Sequence, residues 1–205
     1  RDVSLIVKEK VHVAWYGTRV TTPEVSADKA RIVAETEVEN TSDVQADGRL
    51  ESILLYQGEE VGRMESVFSI APASMPKMVQ EQSVANPKLW HPDTPNLYTM
   101  VSKVYLNDEL VDTCETVFGI RYFEFTADKG FFLNGAHYDI HGANVHQDQA
   151  GWSDAVTHTA IARDIAMVKE CGMNFIRGSH YPHHPYFAKE CDRQGLLFWS
   201  ENCFW

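Results

Sequence analysis

Two short apolar runs near the C-terminal end constrain the fold of this chain more than any other feature. Residues 174–176 follow Gly172, residues 196–199 follow Gly195, and Pro185 lies between the two runs. Glycine often ends a helix and proline often opens one, so the pattern predicts a strand, a helix and a second strand. Strands joined in this way run parallel with a right-handed crossover, which makes the segment a β-α-β unit.

Polar side chains follow both predicted strands. Arg177, Ser179 and His180 come after the first run, and Glu201 closes the second. Because parallel strands end at the same edge of a sheet, we expect these groups to lie close together. Ligand-binding groups of α/β proteins usually lie at that edge. The sequence therefore places a candidate site there.

The part of the chain before Phe123 reads as one strand after another. Turn-forming residues at 40–43, 46–48, 57–58 and 107–108 separate segments in which apolar and polar residues alternate or nearly do so. The predicted strands cover residues 11–15, 32–38, 50–56, 77–84, 97–106 and 110–117. With no helical pattern among them, they predict an antiparallel immunoglobulin-like sandwich, for which ~7 strands are typical.

A hairpin and a further strand are predicted between the sandwich and the β-α-β unit. Asn134-Gly135 is a strong hairpin signal within residues 131–138. Residues 138–143 form the predicted strand, and the polar residues His146 and Asp148 follow it. They extend the candidate site by one strand.

Two helices are predicted around the β-α-β strands. Ser153 or Asp154 is the predicted cap of the first helix, and Gly172 ends it. Its apolar face comprises Ile161, Ile165 and Val168. The second helix covers residues 185–194.

Composition and charge narrow the classes of ligand. The chain has 205 residues and a net charge of −11, which repels nucleic acid and anionic membranes and favours neutral ligands. No apolar run approaches the ~20 residues that span a bilayer, and the N-terminus lacks the pattern of a signal peptide, so we expect a soluble chain. The 4 cysteines are too few for a disulfide scaffold and are read as free thiols.

Several ordered motifs are shared with one enzyme family. Residues 174–182 read Asn-x-x-Arg-x-Ser-His-Tyr-Pro, residues 191–196 read Cys-Asp-x-x-Gly-Leu, and the acidic Glu201 closes the next strand. Residues 89–98 carry Leu-Trp and Leu-Tyr pairs among prolines, and residues 118–121 read Phe-Gly-Ile-Arg. Together these motifs resemble glycoside hydrolase family 2, which contains β-galactosidases, β-glucuronidases and β-mannosidases.

The resemblance implies an all-β immunoglobulin-like sandwich over residues 1–123, followed by the N-terminal portion of a (β/α)8 TIM barrel over residues 124–205. The hairpin is expected to close the bottom of the barrel. About three β/α units are visible where a barrel needs eight, so we expect the chain to stop within that domain. Trp90 and Tyr98 are interpreted as core anchors rather than as ligand-stacking residues.

The resemblance also implies roles for the strand-end residues. His146 and His180 would line the subsite of the nonreducing sugar, with Asp148 as a further sugar-binding candidate. Supporting roles would fall to Asn144, Arg177, Ser179 and Glu201. Retaining hydrolysis needs an acid/base and a nucleophile, both glutamates in this family, and we expect both after Trp205. No catalytic residue is assigned to this chain, which should be inactive alone.

The implied activity is that of a retaining exo-β-glycosidase. Residues 146–152 look most like those of bacterial β-galactosidases. The expected partner is a β-linked oligosaccharide or glycoside, with neither nucleic acid nor membrane, and a homo-oligomer is expected. No cofactor is expected beyond a divalent or sodium ion in a longer protein. The compartment stays open between the periplasm and the cytoplasm of a bacterium.

Two alternatives come from other classes of protein. A zinc hydrolase would draw its ligands from the strand-end group of His141, His146, Asp148, His180, His183 and His184. No ligand spacing on one helix supports that, no metal ligand is assigned, and His183-His184 is interpreted as a solvated turn. A non-catalytic sandwich module that binds carbohydrate or protein would leave the strand-end residues without a use.

Overall fold

The computed structural model describes residues 3–203 and divides into two compact units. The sandwich unit consists of Leu5–Lys88 and Leu97–Tyr122. The α/β unit contains Leu89–Asn96 together with the chain from Phe123 onward. The segment Leu89–Asn96 therefore interrupts the sandwich unit in sequence while belonging to the other unit.

The sandwich unit has two antiparallel sheets, as the sequence predicts. Its strands are β1 Val11–Val25, β2 Lys29–Asn40, β3 Ala46–Tyr56, β4 Glu59–Ile70, β5 Lys77–Ala85, β8 Tyr98–Leu106 and β9 Glu109–Phe118, while β6 Trp90–His91 and β7 Thr94–Pro95 form a small pair inside Leu89–Asn96. One sheet has the strand order β1-β2-β5 and the other β4-β3-β8-β9. This is the immunoglobulin-like architecture.

Alternating burial builds the core of the sandwich. In β2, Ile32, Ala34 and Val38 are fully buried while their neighbours are more exposed. Leu50 and Val104 from the other sheet meet Val38 in one apolar cluster. Each such side chain stabilises the fold by about 1.5–3 kcal/mol relative to leaving it in water. The period of two seen in the sequence is thus the period of burial.

Strand β4 is the one sandwich strand that the alternation does not predict. It lies at the edge of its sheet, and of its residues only Met64 and Ile70 are buried. An edge strand with a solvated face carries charged residues on most positions, so its apolar pattern is weak. The hairpin turn before it was predicted: Gln57 and Gly58 both have positive φ, the geometry of a type I′ turn.

From Phe123 onward the elements of the α/β unit are β10 Phe123–Thr126, β11 Gly130–Leu133, β12 Ala136–His137, β13 Gly142–Val145, α1 His158–Glu170, β14 Phe175–Gly178, α2 Pro185–Gln194 and β15 Leu197–Ser200. Strands β10-β11-β12 form a small antiparallel sheet, and β13-β14-β15 form a parallel one. The hairpin turn at Asn134-Gly135 joins β11 to β12, as predicted. Three parallel strands with two crossover helices are the start of a TIM barrel.

Two local predictions about β13 and α1 are wrong. The strand covers Gly142–Val145 rather than residues 138–143, so Asn144 belongs to the strand itself. Helix α1 is capped by Thr157, whose hydroxyl accepts the backbone N–H of Ala160, and not by Ser153 or Asp154. Ser153 has a positive φ and its N–H donates to the carbonyl of Gln149, so the chain turns there before the helix starts.

The α/β unit has its own core. Ile161 and Ile165 of α1 pack with Ile176 of β14 and with Phe187 and Cys191 of α2. Burial raises the pKa of the Cys191 thiol far above its ordinary value, which fits an inert packing role. Neither α1 nor α2, the helices among residues 3–203, has the length and apolar character needed to cross a membrane.

The segment Leu89–Asn96 is anchored inside the α/β unit. The indole N–H of Trp90 donates to the carbonyl of Asp192 at 2.8 Å, and the side-chain amide of Asn134 donates to the carbonyl of Trp90 at 3.0 Å. Trp90 is 2% exposed, and Tyr98 in the sandwich unit is also 2% exposed. Both are buried as core anchors, in different units.

Candidate functional site

The parallel register of β13, β14 and β15 brings the ends of the three strands level with one another. Asn144 of β13 is paired with Arg177 of β14, and Gly178 of β14 with Ser200 of β15. The residues that follow the three strands therefore leave the sheet at one edge. His146 follows β13, Ser179 and His180 follow β14, and Glu201 follows β15. We call this group, with Arg177, the strand-end site.

The two histidine rings of the strand-end site lie edge to face. The ring centroids of His146 and His180 are 5.3 Å apart, with an angle of 71° between the rings. Tyr181 adds a third ring 6.1 Å from His146. His146 is exposed and the His180 side chain is 43% exposed, so both rings are open to a ligand. Neutral imidazoles offer one donor and one acceptor each, which suits hydroxyl groups.

Arg177 and Glu201 form an ion pair within the strand-end site. Arg177 Nε lies 2.7 Å from Glu201 Oε1 and Nη2 lies 3.2 Å from Oε2, a bidentate arrangement. Hydrogen bonding to Glu201 raises the pKa of Arg177, and the same bond lowers the pKa of Glu201. Both groups stay charged, and the positive charge of Arg177 is balanced by the negative charge of Glu201.

Arg177 and Glu201 both approach the Nδ1 atom of His180. Arg177 Nη2 lies 3.2 Å from Nδ1 and can only donate, whereas Glu201 Oε2 lies 3.5 Å from Nδ1 and can only accept. In the neutral tautomer in which Nδ1 accepts from the nearer Arg177, the ring proton lies on Nε2. Nε2 is then the atom with which this ring can donate to a sugar oxygen.

Ser179 is a buried support. It is 0% exposed, its N–H donates to the carbonyl of Val145 at 3.1 Å, and its own carbonyl lies 3.2 Å from His183 Nε2. The peptide bond between Ser179 and His180 is cis. Ser179 thus ties the loop after β14 to the end of β13, and it is too deep to touch a ligand itself.

The interpretation of His183-His184 as a solvated turn is wrong. His183 is 8% exposed and stacks on Tyr181 with ring centroids 5.3 Å apart. His184 Nδ1 accepts the N–H of Tyr186 at 3.0 Å and so caps α2. These rings are structural. Within residues 3–203, no group of three His, Cys, Asp or Glu side chains is arranged to hold a metal ion.

Asp148 and Asn144, two other predicted residues, are less closely connected. Asn144 is exposed and lies beside Arg177 in the register. Asp148 is exposed, and in the described part of the chain no hydrogen bond or ion pair joins it to His146 or His180. Both residues are near the site in sequence, but the structure gives them no fixed partner within it.

Gln147 is the residue that sequence reasoning missed. It is 5% exposed, its N–H donates to the Tyr181 hydroxyl at 2.9 Å, and its Oε1 accepts the N–H of His184. It therefore joins the loop after β13, which carries His146, to the loop after β14, which carries His180. No pattern in the sequence marks it, because both of its partners lie in another loop.

The comparisons with known proteins agree with this architecture. The model of Glycosyl hydrolases family 2 matches residues 11–121, and that of the Glycosyl hydrolases family 2 TIM barrel domain matches residues 125–204. A β-galactosidase of Bacteroides ovatus is 37% identical over 202 residues, covering 98% of this chain and 24% of that protein. A β-glucuronidase of Bacteroides fragilis is 30% identical over 217 residues, covering 100% of this chain and 30% of that protein.

A solved structure gives the same answer. The crystal structure of a Bacteroides uniformis β-glucuronidase superposes with a TM-score of 0.90 at 30% identity, covering 95% of this chain and 24% of that one. The chain thus spans about a quarter of the length of the relatives it matches, 24% and 30% of the two named above. The two family models together cover the sandwich and the start of the barrel, and the superposition covers both parts at once. The chain belongs to glycosyl hydrolase family 2.

Proposed function

We propose that this chain is part of a retaining exo-β-glycosidase and that the strand-end site binds the terminal, nonreducing sugar. The observation that carries the proposal is the edge-to-face contact of the His146 and His180 rings next to the Arg177–Glu201 ion pair, whose guanidinium lies 3.2 Å from His180. Each neutral imidazole has one donor and one acceptor nitrogen, so two neighbouring rings can donate to one hydroxyl and accept from another. A sugar ring offers several adjacent hydroxyl groups, each of which can donate and accept.

Glu201 is not suited to the work of a catalytic acid. A general acid needs a raised pKa so that it holds its proton near neutral pH, and the bond from Arg177 lowers the pKa of Glu201 instead. We infer that Glu201 positions Arg177 and His180. The acid/base and the nucleophile would then be glutamates that follow Trp205 in a longer protein, ~5–5.5 Å apart as retention requires.

Within this proposal, His180 acts on the transition state. Its Nε2–H would bind a hydroxyl of the ring as the ring flattens toward the oxocarbenium ion. Hydrogen bonds that strengthen at that stage lower the barrier, whereas equal binding of substrate and transition state would not. Arg177 contributes by donating to Nδ1, because that hydrogen bond favours the tautomer with its proton on Nε2.

A neutral sugar such as galactose fits the site better than a glucuronic acid. A carboxylate on the sugar calls for a cation, and the guanidinium of Arg177 is already matched by Glu201 at 2.7 Å. Relatives of both kinds are similar to this chain, so the sugar is decided by experiment. The longer protein should hydrolyse nitrophenyl β-galactoside with a higher kcat/KM than nitrophenyl β-glucuronide. The reverse order would contradict the galactosidase proposal, and no hydrolysis of either would contradict the glycosidase proposal.

A further inference from the structure

A layer of small polar side chains crosses the core of the sandwich unit. Strand β2 contributes Thr36, β3 contributes Ser52 and β8 contributes Ser102, and each of the three residues is 0% exposed. Thr18 of β1 is paired with Thr36, so its side chain lies on the same face of that sheet. We call these four residues the hydroxyl layer.

The hydroxyl layer lies next to the apolar cluster that joins the two sheets. That cluster takes one residue from each of the same three strands: Val38, Leu50 and Val104. Each lies two residues along its strand from Thr36, Ser52 or Ser102, and side chains two residues apart point to the same face of a sheet. Ser52 and Ser102 are also paired with each other in adjacent strands. The three hydroxyls therefore point into the space between the sheets.

A contact at one end of the sandwich shows how the strands of the two sheets run past each other. Asn40 ends β2, and its side-chain amide donates to the carbonyl of Ile70 at 3.1 Å. Ile70 is in turn paired with Ala46 at the start of β3. A step back along β2 therefore corresponds to a step forward along β3, which brings Thr36 level with Ser52 across the core.

The hydroxyl oxygens of the layer are buried without a protein partner. Within the described range 3–203, Thr18 Oγ1, Thr36 Oγ1, Ser52 Oγ and Ser102 Oγ make no hydrogen bond to another residue. Burial of a hydroxyl is unfavourable unless it is hydrogen-bonded, and nearly all buried polar groups in proteins have a partner. Four such groups in one layer of a core therefore indicate a shared ligand.

The distance between the sheets suits a small molecule between the hydroxyls. The two sheets of a sandwich pack about 10 Å apart, and the hydroxyl of a serine or threonine is only two bonds from its Cα. The gap that is left between Thr36 on one sheet and Ser52 or Ser102 on the other matches two hydrogen bonds of about 2.8 Å through one intervening atom. No member of the layer is charged, so the ligand is neutral.

We propose that the hydroxyl layer binds ordered internal water that bridges the two sheets of the sandwich. Buried water in proteins makes about three hydrogen bonds to polar groups that otherwise lack a partner. Thr36 supplies the contact from one sheet, and Ser52 and Ser102 supply contacts from the other. The site lies wholly within the sandwich unit and does not depend on the proposed function.

The sign of one substitution tests this proposal. Thr36→Val keeps the shape of the side chain but removes a partner of the water, so the equilibrium constant for unfolding should rise by about 5-fold. If the layer held no water, the same change would remove an unpaired buried hydroxyl, and the constant would fall. The measurement is chemical denaturation of the 205-residue chain, followed by NMR signals of the sandwich unit. An unchanged or lower constant would overturn the proposal.

Thr113→Val is the matched control. Thr113 is an exposed threonine of β9 in the same unit, and its substitution should leave the equilibrium constant within about 2-fold of the parent value. A rise as large as that of Thr36→Val would show that the loss of any threonine in a strand has this effect, and the proposal would fail.

A second substitution tests whether the two sheets share the water. Ser52→Ala should also raise the equilibrium constant, and the double variant with Thr36→Val should show less than the product of the two single effects, because one water serves both residues. A crystal structure of the chain should place a water oxygen about 2.7–3.2 Å from Thr36 Oγ1 and from Ser52 Oγ or Ser102 Oγ. Independent effects, or hydroxyls that bond to backbone carbonyls instead, would overturn the proposal.

Discussion

His146 and His180 lie with ring centroids 5.3 Å apart on two loops that follow neighbouring parallel strands. Their approach depends on the register, because the pairing of Asn144 with Arg177 brings both strands to an end at one level. It also depends on Gln147, which ties one loop to the other. Substitution of a histidine ring and substitution of Gln147 should therefore have different effects, the first on catalysis and the second on the position of the rings.

Loss of the His180 ring should damage catalysis. In the longer enzyme, we expect His180→Ala to lower kcat/KM by about 10² to 10⁴, because contacts to sugar hydroxyls strengthen in the transition state. His91→Ala is the control, since His91 packs on Tyr138 rather than on the strand-end site. Steady-state kinetics on a nitrophenyl β-glycoside check this, and equal effects of the two substitutions would mean that the site lies elsewhere.

The 205-residue chain by itself should hydrolyse no nitrophenyl β-glycoside, whereas the longer protein should. The reason is chemical: without the proposed pair of glutamates, nothing protonates the leaving oxygen or attacks the anomeric carbon. Turnover is followed in the purified chain and in its His180→Ala variant. Activity that copurifies with the chain and disappears in the variant would refute the assignment of catalysis to later strands.

Gln147→Leu should loosen the strand-end site without removing any ring. The substitution keeps the approximate volume but deletes the acceptor for the His184 N–H, which we expect to cost about 1–2 kcal/mol of unfolding free energy. Chemical denaturation measures the loss, and NMR signals of His146 and His180 should shift. The exposed Gln45, replaced by leucine in the same way, should change neither. Unaltered histidine signals in Gln147→Leu would contradict the positioning role.

Glu190 should make the free energy of unfolding of the chain depend on pH in the acidic range. Hydrogen bonding from Arg193 lowers its pKa below the ordinary value of 4.5, against the opposing effect of burial. The unfolded chain then takes up a proton before the folded one, so the contribution is present above about pH 4.5 and is lost as the pH falls through the lower, folded pKa. We expect Glu190→Gln to cost about 1–2 kcal/mol near neutral pH and less in acid.

Melting temperatures of the parent chain and of Glu190→Gln, measured from neutral pH downward, give the check. The two curves should converge in acid. Replacing the exposed Glu170 of α1 by glutamine is the control and should leave the curve unchanged. A constant offset between parent and Glu190→Gln at all pH values would show that the ion pair with Arg193 does not carry the effect.

Local patterns predicted most elements, and tertiary contacts decided the exceptions. Helix α2 begins at Pro185 and ends before Gly195 as expected, since both residues impose their backbone angles regardless of packing. The start of α1 was wrong because two plausible caps, Ser153 and Asp154, precede the residue that acts, and the turn at Gln149 selects Thr157.

The candidate site shows the same division. His146, His180, Arg177 and Glu201 could be placed together from strand order alone, because parallel strands leave little choice of edge. Gln147 could not be predicted, since its role depends on the positions of Tyr181 and the His184 N–H across a second loop. Sequence spacing does not report such cross-loop distances.

The segment Leu89–Asn96 has a consequence for biosynthesis. The indole of Trp90 bonds to Asp192, 102 residues later in the chain, and a Cβ added to Gly195 would come within 2.1 Å of the Pro92 carbonyl. During translation this segment is made before the last two sandwich strands, yet its contacts with Asp192 and Gly195 form only when α2 has left the ribosome. The last two sandwich strands are therefore synthesised while Leu89–Asn96 still lacks its contacts with α2. A gene divided after Tyr122 would yield one piece in which Trp90 lacks its partner Asp192, and another in which Asp192 and Gly195 lack the segment Leu89–Asn96.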